Sequence, residues 1–328
     1  MRRAIEHARR GLGRTAPNPV VGACVVTDEG VVVGDGAHER AGEAHAEVHA
    51  LDEAGAAARN ATLYCTLEPC AHVGRTGPCT ERIIAAGIRR VVAAMEDPFP
   101  LVGGRGFAAL RAAGIEVTIG VERDAAARLN QPFLTTVRCG RPFVIVKAAT
   151  SLDGRIAAAP GVRTQLTSGA ALRHVHMMRA QVDAIGAGSG TIVIDDPELT
   201  AREVFRDRPL SRVIFDRAGR VPATARVFAT RAAGPVIMVR TGLAEALRDL
   251  AARGIQSLLL EGGAGLHAAA WDAGVVDYVQ LYVAPVSLGE AGVPWLEGRR
   301  FHSMDLFHRR VDLLGPDVLI EGYVHRPH

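Results

Sequence analysis

The sequence predicts an α/β protein of two domains, and three observations carry that reading. The chain has 328 residues, too long for one ordinary hydrophobic core and suited to two domains of about 150 residues each. Short apolar runs rich in valine and isoleucine alternate with helical patterns, as they do in a sheet sandwiched by helices. That alternation occurs twice, and a polar helical stretch separates the two passages. The pattern therefore predicts a first domain over 1–120, a connecting segment over 121–140 and a second domain over 141–328.

The elements follow in order. A polar-faced helix is expected from about Met1 to Gly13, strands in "VVGACVVT" and "VVVGDGA", and a helix opening near Ala44 that would bury Val48, Leu51 and Ala54. "ATLYCTLE" reads as a strand with Leu63, Cys65 and Leu67 in the core. A helix after Cys79, the strand "RRVVAAM", the helix "GRGFAALRAAG" and the strand "IEVTIG" complete the first domain. In the second, "RPFVIVKAAT", "VDAIGAG", "RVIFD", "PVIMV", "QSLLLEGG" and "YVQLYVAPVSLG" read as strands. "TIVIDDPELTAR" reads as a further apolar strand ended by proline. Its two aspartates cannot both be core residues, so either Asp196 caps a turn or Asp195 faces an active site.

Composition excludes several classes. No run of eighteen apolar residues occurs, so no membrane span is expected. The start "MRRAIEHARRGLGR" lacks the apolar core of a secretory signal, so a cytoplasmic protein is expected. Five cysteines, unlike a disulfide scaffold in number and spacing, are expected as thiols. With 38 basic and 35 acidic residues dispersed to a net charge of +3 and only 5% aromatics, the chain offers no basic groove or stacking platform for nucleic acid. Lys147 is the only lysine among many arginines. The bias most simply reflects coding composition, and against it the lone lysine is a candidate for a place where a planar fork does not substitute for a compact ammonium.

The chemistry concentrates in "HAEVHAL" and "EPCAHVGRTGPC". His45 with Cys70 and Cys79 makes three zinc ligands, and three protein ligands leave a fourth tetrahedral position open, as catalytic zinc requires. Both ends of the motif fall where helices begin, which favours thiolate over thiol. Glu47, two residues after the histidine, is placed to carry protons to a leaving group. H-x-E followed by P-C and a second cysteine is the pattern of zinc deaminases, in which zinc activates a water and the glutamate moves protons. The spacing departs from that pattern, with eight residues between the cysteines instead of two. Alone, His45 would read as a polar core residue and either cysteine as a buried apolar thiol. The four together do not.

The stretches "APNPVVGACVV", "HAEVHAL", "TLEPCAHVGRTGPC", "KAATSLDGRIA", "DAIGAGSGTIVIDDPELT" and "LLLEGGAGLHAAAWDAGVVD" resemble the bifunctional riboflavin-biosynthesis deaminase-reductase family along almost the whole chain. The eight-residue gap belongs to that family. The resemblance implies an N-terminal three-layer cytidine-deaminase-like domain acting on diaminohydroxyphosphoribosylaminopyrimidine, followed by a dihydrofolate-reductase-like domain that reduces the ribosyl to a ribityl chain with NADPH. It implies Zn2+ on His45, Cys70 and Cys79, Glu47 as proton shuttle, and Asn18, His38 and His72 on the pyrimidine. Arg75 would meet the ribose phosphate. In the second half it implies NADP contacts from Ala149, Gln165, Thr191, Asp195, Gly262, Gly263, Ala264 and Gly265, the glycine turn lying before a helix that favours anions. Substrate contacts are implied for Arg163, Arg179, Leu199, Arg202 and Glu261, with Lys147 polarising the sugar and Asp195 or Glu261 relaying the proton.

In "GVRTQLTS" a glutamine, Gln165, stands where the family carries an aromatic cofactor contact, and Arg163 occupies a substrate-side position. The alternative reading is therefore a zinc nucleobase or nucleoside deaminase with a weakly active or non-catalytic reductase-like domain. Small-molecule substrates are expected, with no nucleic-acid or membrane partner, and the exposed edge of the second sheet allows a homodimer.

Overall fold

The computed structural model describes residues 1–71, 77–99 and 102–328. The chain forms two compact units, Met1–Cys139 and Gly140–Pro327, with His328 grouped with the first.

The first unit holds α1 (Arg2–Ala8), β1 (Gly22–Val26), β2 (Val32–Ala37), α2 (Ala46–Ala54), β3 (Thr62–Cys65), α3 (Cys79–Ala85), β4 (Arg90–Ala93), α4 (Arg105–Ala112) and β5 (Glu116–Ile119). Among the described residues, these strands form one sheet in the order β2-β1-β3-β4-β5. β1 runs antiparallel to β2 and β3, and β3, β4 and β5 are parallel. The N-terminal helix is shorter than its pattern suggested, because a 3-10 turn over Arg9–Gly11 succeeds it. In α2 the core face is Ala46, Ala50, Leu51 and Ala54, while Val48 is only partly buried. The reason lies in β2, where Gly34 and Gly36 bring the helix backbone against the sheet. A Cβ on either would meet the Ala50 or Ala46 carbonyl oxygen at 2.1 or 2.0 Å.

The stretch read as a connection forms α5 (Arg123–Leu129) and α6 (Gln131–Cys139), and both pack on the first unit. Ala126, Ala127 and Leu134 join its core. Buried Asn130 clamps the chain ahead of β1, its carboxamide accepting from the Val20 amide at 2.8 Å and donating to the Val20 carbonyl at 2.9 Å. A buried amide satisfied on both sides is costly to leave unpaired, so this stretch is held as part of the domain.

The second unit contains β6 (Phe143–Thr150), β7 (Arg155–Ala157), α7 (Gly169–Gln181), β8 (Ala184–Gly188), α8 (Ser189–Asp195), β9 (Ser211–Phe215), α9 (Arg226–Ala229), β10 (Val236–Val239), α10 (Leu243–Ala252), β11 (Ser257–Leu260), α11 (Ala264–Asp272), β12 (Tyr278–Val283), β13 (Val293–Pro294), β14 (Phe307–Leu314) and β15 (Asp317–Tyr323). The main sheet has the order β10-β9-β8-β11-β6-β12-β15-β14, parallel as far as β12 and antiparallel beyond it. β7 and β13 pair separately.

One expectation is corrected here. "TIVID" is helical, not a strand, and forms most of α8. Ile192 is buried while Val193 and Ile194 are 53% and 44% exposed, a pattern without strand alternation. The apolar strand is the preceding "AIGAG", and the helix starts directly at its carboxyl end. The hairpin β14–β15 carried no clear sequence pattern, because β14 is an exposed edge strand, "FHRRVDLL", rich in charge.

Candidate active sites

The first site is built at two helix starts. His45 is the N-cap of α2 and Cys79 is the first residue of α3, with Pro78 as its N-cap. Cys70 lies beyond the end of β3. His45 Nδ1 is 3.2 Å from Cys79 Sγ and 3.5 Å from Cys70 Sγ, and the Cys79 amide donates to Cys70 Sγ at 3.4 Å. All three ligand atoms lie within 4.8 Å of one another. Zinc bonded to a nitrogen at about 2.05 Å and a sulfur at about 2.3 Å with tetrahedral angles sets those atoms about 3.6 Å apart, so the triangle fits that ion. Hydrogen bonds from Cys79 and His45 hold the Cys70 thiol far below its usual range, and the bond to Cys70 raises the His45 imidazole.

Glu47 is 3% exposed on the first turn of α2 and stands outside the ligand triangle. Burial raises its carboxyl to about 7, against the opposing charge of His45. Beside it, His38 is buried edge-on to His45 with ring centroids 5.3 Å apart. His38 Nδ1 meets the Ala44 carbonyl at 3.1 Å, which requires the proton there, so Nε2 accepts from Asn18 Nδ2 at 3.1 Å. Asn18 and His38 thus form a fixed polar pair. His72 and Arg75 lie outside the described residues.

One residue of this site carried no role in the sequence reading. Glu68, two positions before Cys70, is buried and accepts from the amides of Asp97, Gly104, Gly106 and Phe107 at 2.8–3.2 Å. It caps α4 and ties the cysteine-bearing turn to it. Gly106 permits this closeness, since a Cβ there would stand 2.0 Å from the Pro69 carbonyl oxygen. The signal was available in principle, because a carboxylate at a strand end beside a motif cysteine is an expensive thing to bury unpaired.

The second site is a cleft of about 1110 Å³ at the carboxyl ends of the parallel strands, where open α/β sheets bind ligands. Its wall includes Lys147 and Ala149 from β6, Arg163, Gln165, Arg179, Thr191, Asp195, Leu199, Arg202 and the turn Glu261, Gly262, Gly263, Ala264 and Gly265. Gly263 is the N-cap of α11 and no side chain caps that helix. A Cβ on Gly265 would meet nothing within 4 Å, and one on Gly263 only Thr191 Oγ1 at 3.6 Å. This is an open cradle at a helix start, which suits the phosphates of a dinucleotide.

Within the cleft, Arg179 makes a bidentate pair with Glu261 at 2.6 and 2.7 Å and donates to the Thr200 carbonyl at 2.9 Å. The fork expected on a substrate phosphate is therefore engaged with the carboxylate expected on the same substrate. Burial alone would raise the Glu261 carboxyl, but Arg179 holds it at about 2. Lys147 is pushed below the usual lysine range by burial, Glu261 opposing and Arg179 adding to the shift. Asp195 ends α8 and its carboxyl is raised by burial, with Arg163 opposing. Asp196 takes the left-handed C-cap and accepts from the Arg226 amide at 2.8 Å, and both aspartates line the cleft. Gln165 is exposed and donates to the Thr167 carbonyl and hydroxyl, each at 3.1 Å. Leu199 is buried with a φ of 51°, and the Arg202 amide donates to His176 Nδ1 at 3.1 Å.

Comparison with known proteins agrees with two different sites. Residues 1–95 match the model of the cytidine and deoxycytidylate deaminase zinc-binding region, and residues 142–320 match that of the RibD C-terminal domain. The chain is 42% identical to the riboflavin biosynthesis protein RibD of Bacillus amyloliquefaciens over 97% of its own length and 94% of the relative's. It resembles the Acinetobacter baumannii RibD structure with a TM-score of 0.89 at 38% identity, covering 98% of this chain and 96% of that one. A Thermotoga maritima structure, described as a diaminohydroxyphosphoribosylaminopyrimidine deaminase/5-amino-6-(5-phosphoribosylamino)uracil reductase, matches with a TM-score of 0.87 at 35% identity over the same shares. No helix among the described residues is long and apolar enough to cross a membrane.

Proposed function

Because the chain belongs to the RibD family of riboflavin-biosynthesis deaminase-reductases, we propose that its first unit deaminates diaminohydroxyphosphoribosylaminopyrimidine and its second reduces 5-amino-6-(5-phosphoribosylamino)uracil. The chain is a deaminase joined to a reductase. The observation that carries the assignment of residues is the convergence of His45, Cys70 and Cys79 beside a buried carboxylate that is not one of them.

His45, Cys70 and Cys79 would hold zinc, which when bound would supply an activated water as the nucleophile toward the ring carbon that loses its amino group as ammonia. Glu47 carries the proton to the departing nitrogen, since it is a buried acid two residues from His45 and stays outside the ligand set. The Asn18–His38 pair orients the pyrimidine through hydrogen bonds whose direction the Ala44 carbonyl fixes. Glu68 keeps the cysteine turn in place through four backbone amides.

In the second unit, Gly262, Gly263, Ala264 and Gly265 with Thr191 would hold NADPH, which supplies the hydride. Lys147 polarises the ribose oxygens at the cleft floor and assists opening of the sugar ring. Asp195, with its raised carboxyl, relays the accompanying proton. The small-molecule substrates fit a cytoplasmic enzyme, and the exposed edge strand β14 fits association through the second unit. The test is ammonia release from the aminopyrimidine measured beside zinc content, and NADPH oxidation with the deaminated product. Ammonia release without NADPH oxidation would favour a deaminase carrying a non-catalytic second domain.

A further inference from the structure

Lys147 is the only lysine of the chain, and its surroundings are unusual for a half-buried ammonium. Cations drawn out of water are ordinarily paired. Among the described residues Lys147 makes no hydrogen bond or ion pair, and the carboxylate that acts on it electrostatically, Glu261, is committed to the Arg179 fork. What does touch it is an aromatic face. Lys147 Nζ stands 5.6 Å from the centroid of the Tyr282 ring, inside the range of a cation–π contact.

Tyr282 is built to hold that position. It belongs to β12, which runs parallel to β6 with Gln280 opposite Lys147 and Tyr282 opposite Ala149. Its side chain is 0% exposed, and its hydroxyl meets His174 Nδ1 at 2.8 Å across from α7. The ring is thus fixed at one end by the sheet and at the other by a helix.

We propose that Tyr282 is a positioning residue for the reductase, holding the Lys147 ammonium at the cleft floor through the face of its ring and so keeping it charged without a carboxylate partner. A carboxylate in that place would bind the ammonium more tightly and quench its pull on the substrate. The ring attracts the cation without accepting its protons. The other ionisable groups acting at this point are Glu261 and Arg179, which oppose each other, and His267 on α11, a buried imidazole kept neutral. The proposal rests on the reading of Lys147 as the group that assists ring opening.

A chain with one lysine allows a direct test. Full-length protein labelled with 13C and 15N in lysine gives a single side-chain ammonium signal, whose titration reports Lys147 without assignment. Site-specific replacement of Tyr282 by phenylalanine and then by mono-, di- and trifluorophenylalanine keeps the shape while draining the ring face of electron density. A cation–π contact stabilises the charged form, so each fluorine should lower the Lys147 titration midpoint, by about one pH unit over the series. The high-pH limb of NADPH oxidation should move down in step, with NADP+ affinity unchanged. A midpoint that stays fixed across the series would overturn the role of Tyr282. A midpoint that falls while the NADPH oxidation profile stays put would leave that role standing and reject Lys147 as the ring-opening group instead.

Discussion

In the first unit, three ligand atoms within 4.8 Å of one another come from His45 and one short cysteine-bearing stretch, whereas the reductase cleft draws its wall from side chains spread between Lys147 and Glu297. The deaminase site is made by short-range geometry, with two helix starts and a strand end each presenting one group. The reductase site is made by electrostatic balance. Arg179 neutralises Glu261, and Lys147 is left with an aromatic face in place of a counter-ion. A site of the first kind fails when one atom moves, and a site of the second kind fails when one charge changes.

Substitutions can sharpen or break that contrast. The largest effect is expected from Glu47→Gln, which should lower ammonia release about 10²–10⁴-fold while zinc, measured by metal analysis, stays stoichiometric. Equal loss of zinc would make Glu47 a ligand and dissolve the distinction between holding the metal and moving protons. Next comes Lys147→Arg, which keeps the charge but replaces a compact ammonium by a forked guanidinium and should cost about 10²-fold in NADPH oxidation. Turnover near wild type would show that only the charge matters there.

Arg179→Met strikes the electrostatic balance itself. It strands a buried carboxylate, 7% exposed in the present pair, and should destabilise the second unit by about 3–5 kcal/mol, read as a lower chemical-denaturation midpoint. The sign with pH follows from Glu261, whose carboxyl is held at about 2 against an ordinary 4.5. A depressed carboxylate contributes stability that is complete above pH 4.5 and lost as pH falls towards 2. The wild type should lose that contribution over this window, and the variant should lack it. Gly106→Ala is the geometric counterpart in the first unit, since its Cβ would meet the Pro69 carbonyl oxygen. It should cost about 1–3 kcal/mol and speed zinc loss to a chelator. The smallest effect is expected from Gln165→Ala. The side chain is exposed and bonded only within its own turn, so KM for NADPH should change by no more than about threefold.

The same contrast explains what the sequence made legible. His45, Glu47, Cys70 and Cys79 were readable because chemistry of the first kind needs fixed residue types at short spacing. Glu68 escaped notice although it stands within the motif, because its four amide partners lie 29 to 39 positions away. In the second unit the strands of the parallel sheet were legible as apolar runs, but α8 was not. A helix rich in Ile and Val and set directly on a strand end has the composition of the strand it follows. Tyr282 was hidden for a related reason. Its alternating surroundings, "YVQLYV", mark a strand, and only the register of β12 on β6 brings the ring beside Lys147. The helical stretch after residue 120 showed its helices but not its allegiance, which depends on Asn130 reaching back to Val20.

The account holds that two distinct sites act in sequence, deamination before reduction. The most direct measurement supplies the aminopyrimidine and NADPH together to the wild type and to Glu47→Gln, following ammonia and NADPH in the same sample. The wild type should release ammonia and then oxidise NADPH. The variant should do neither, and should oxidise NADPH once the deaminated intermediate is added. Oxidation of NADPH by the variant with the aminopyrimidine alone would contradict the account, because the reductase would then accept a substrate that still carries its amino group.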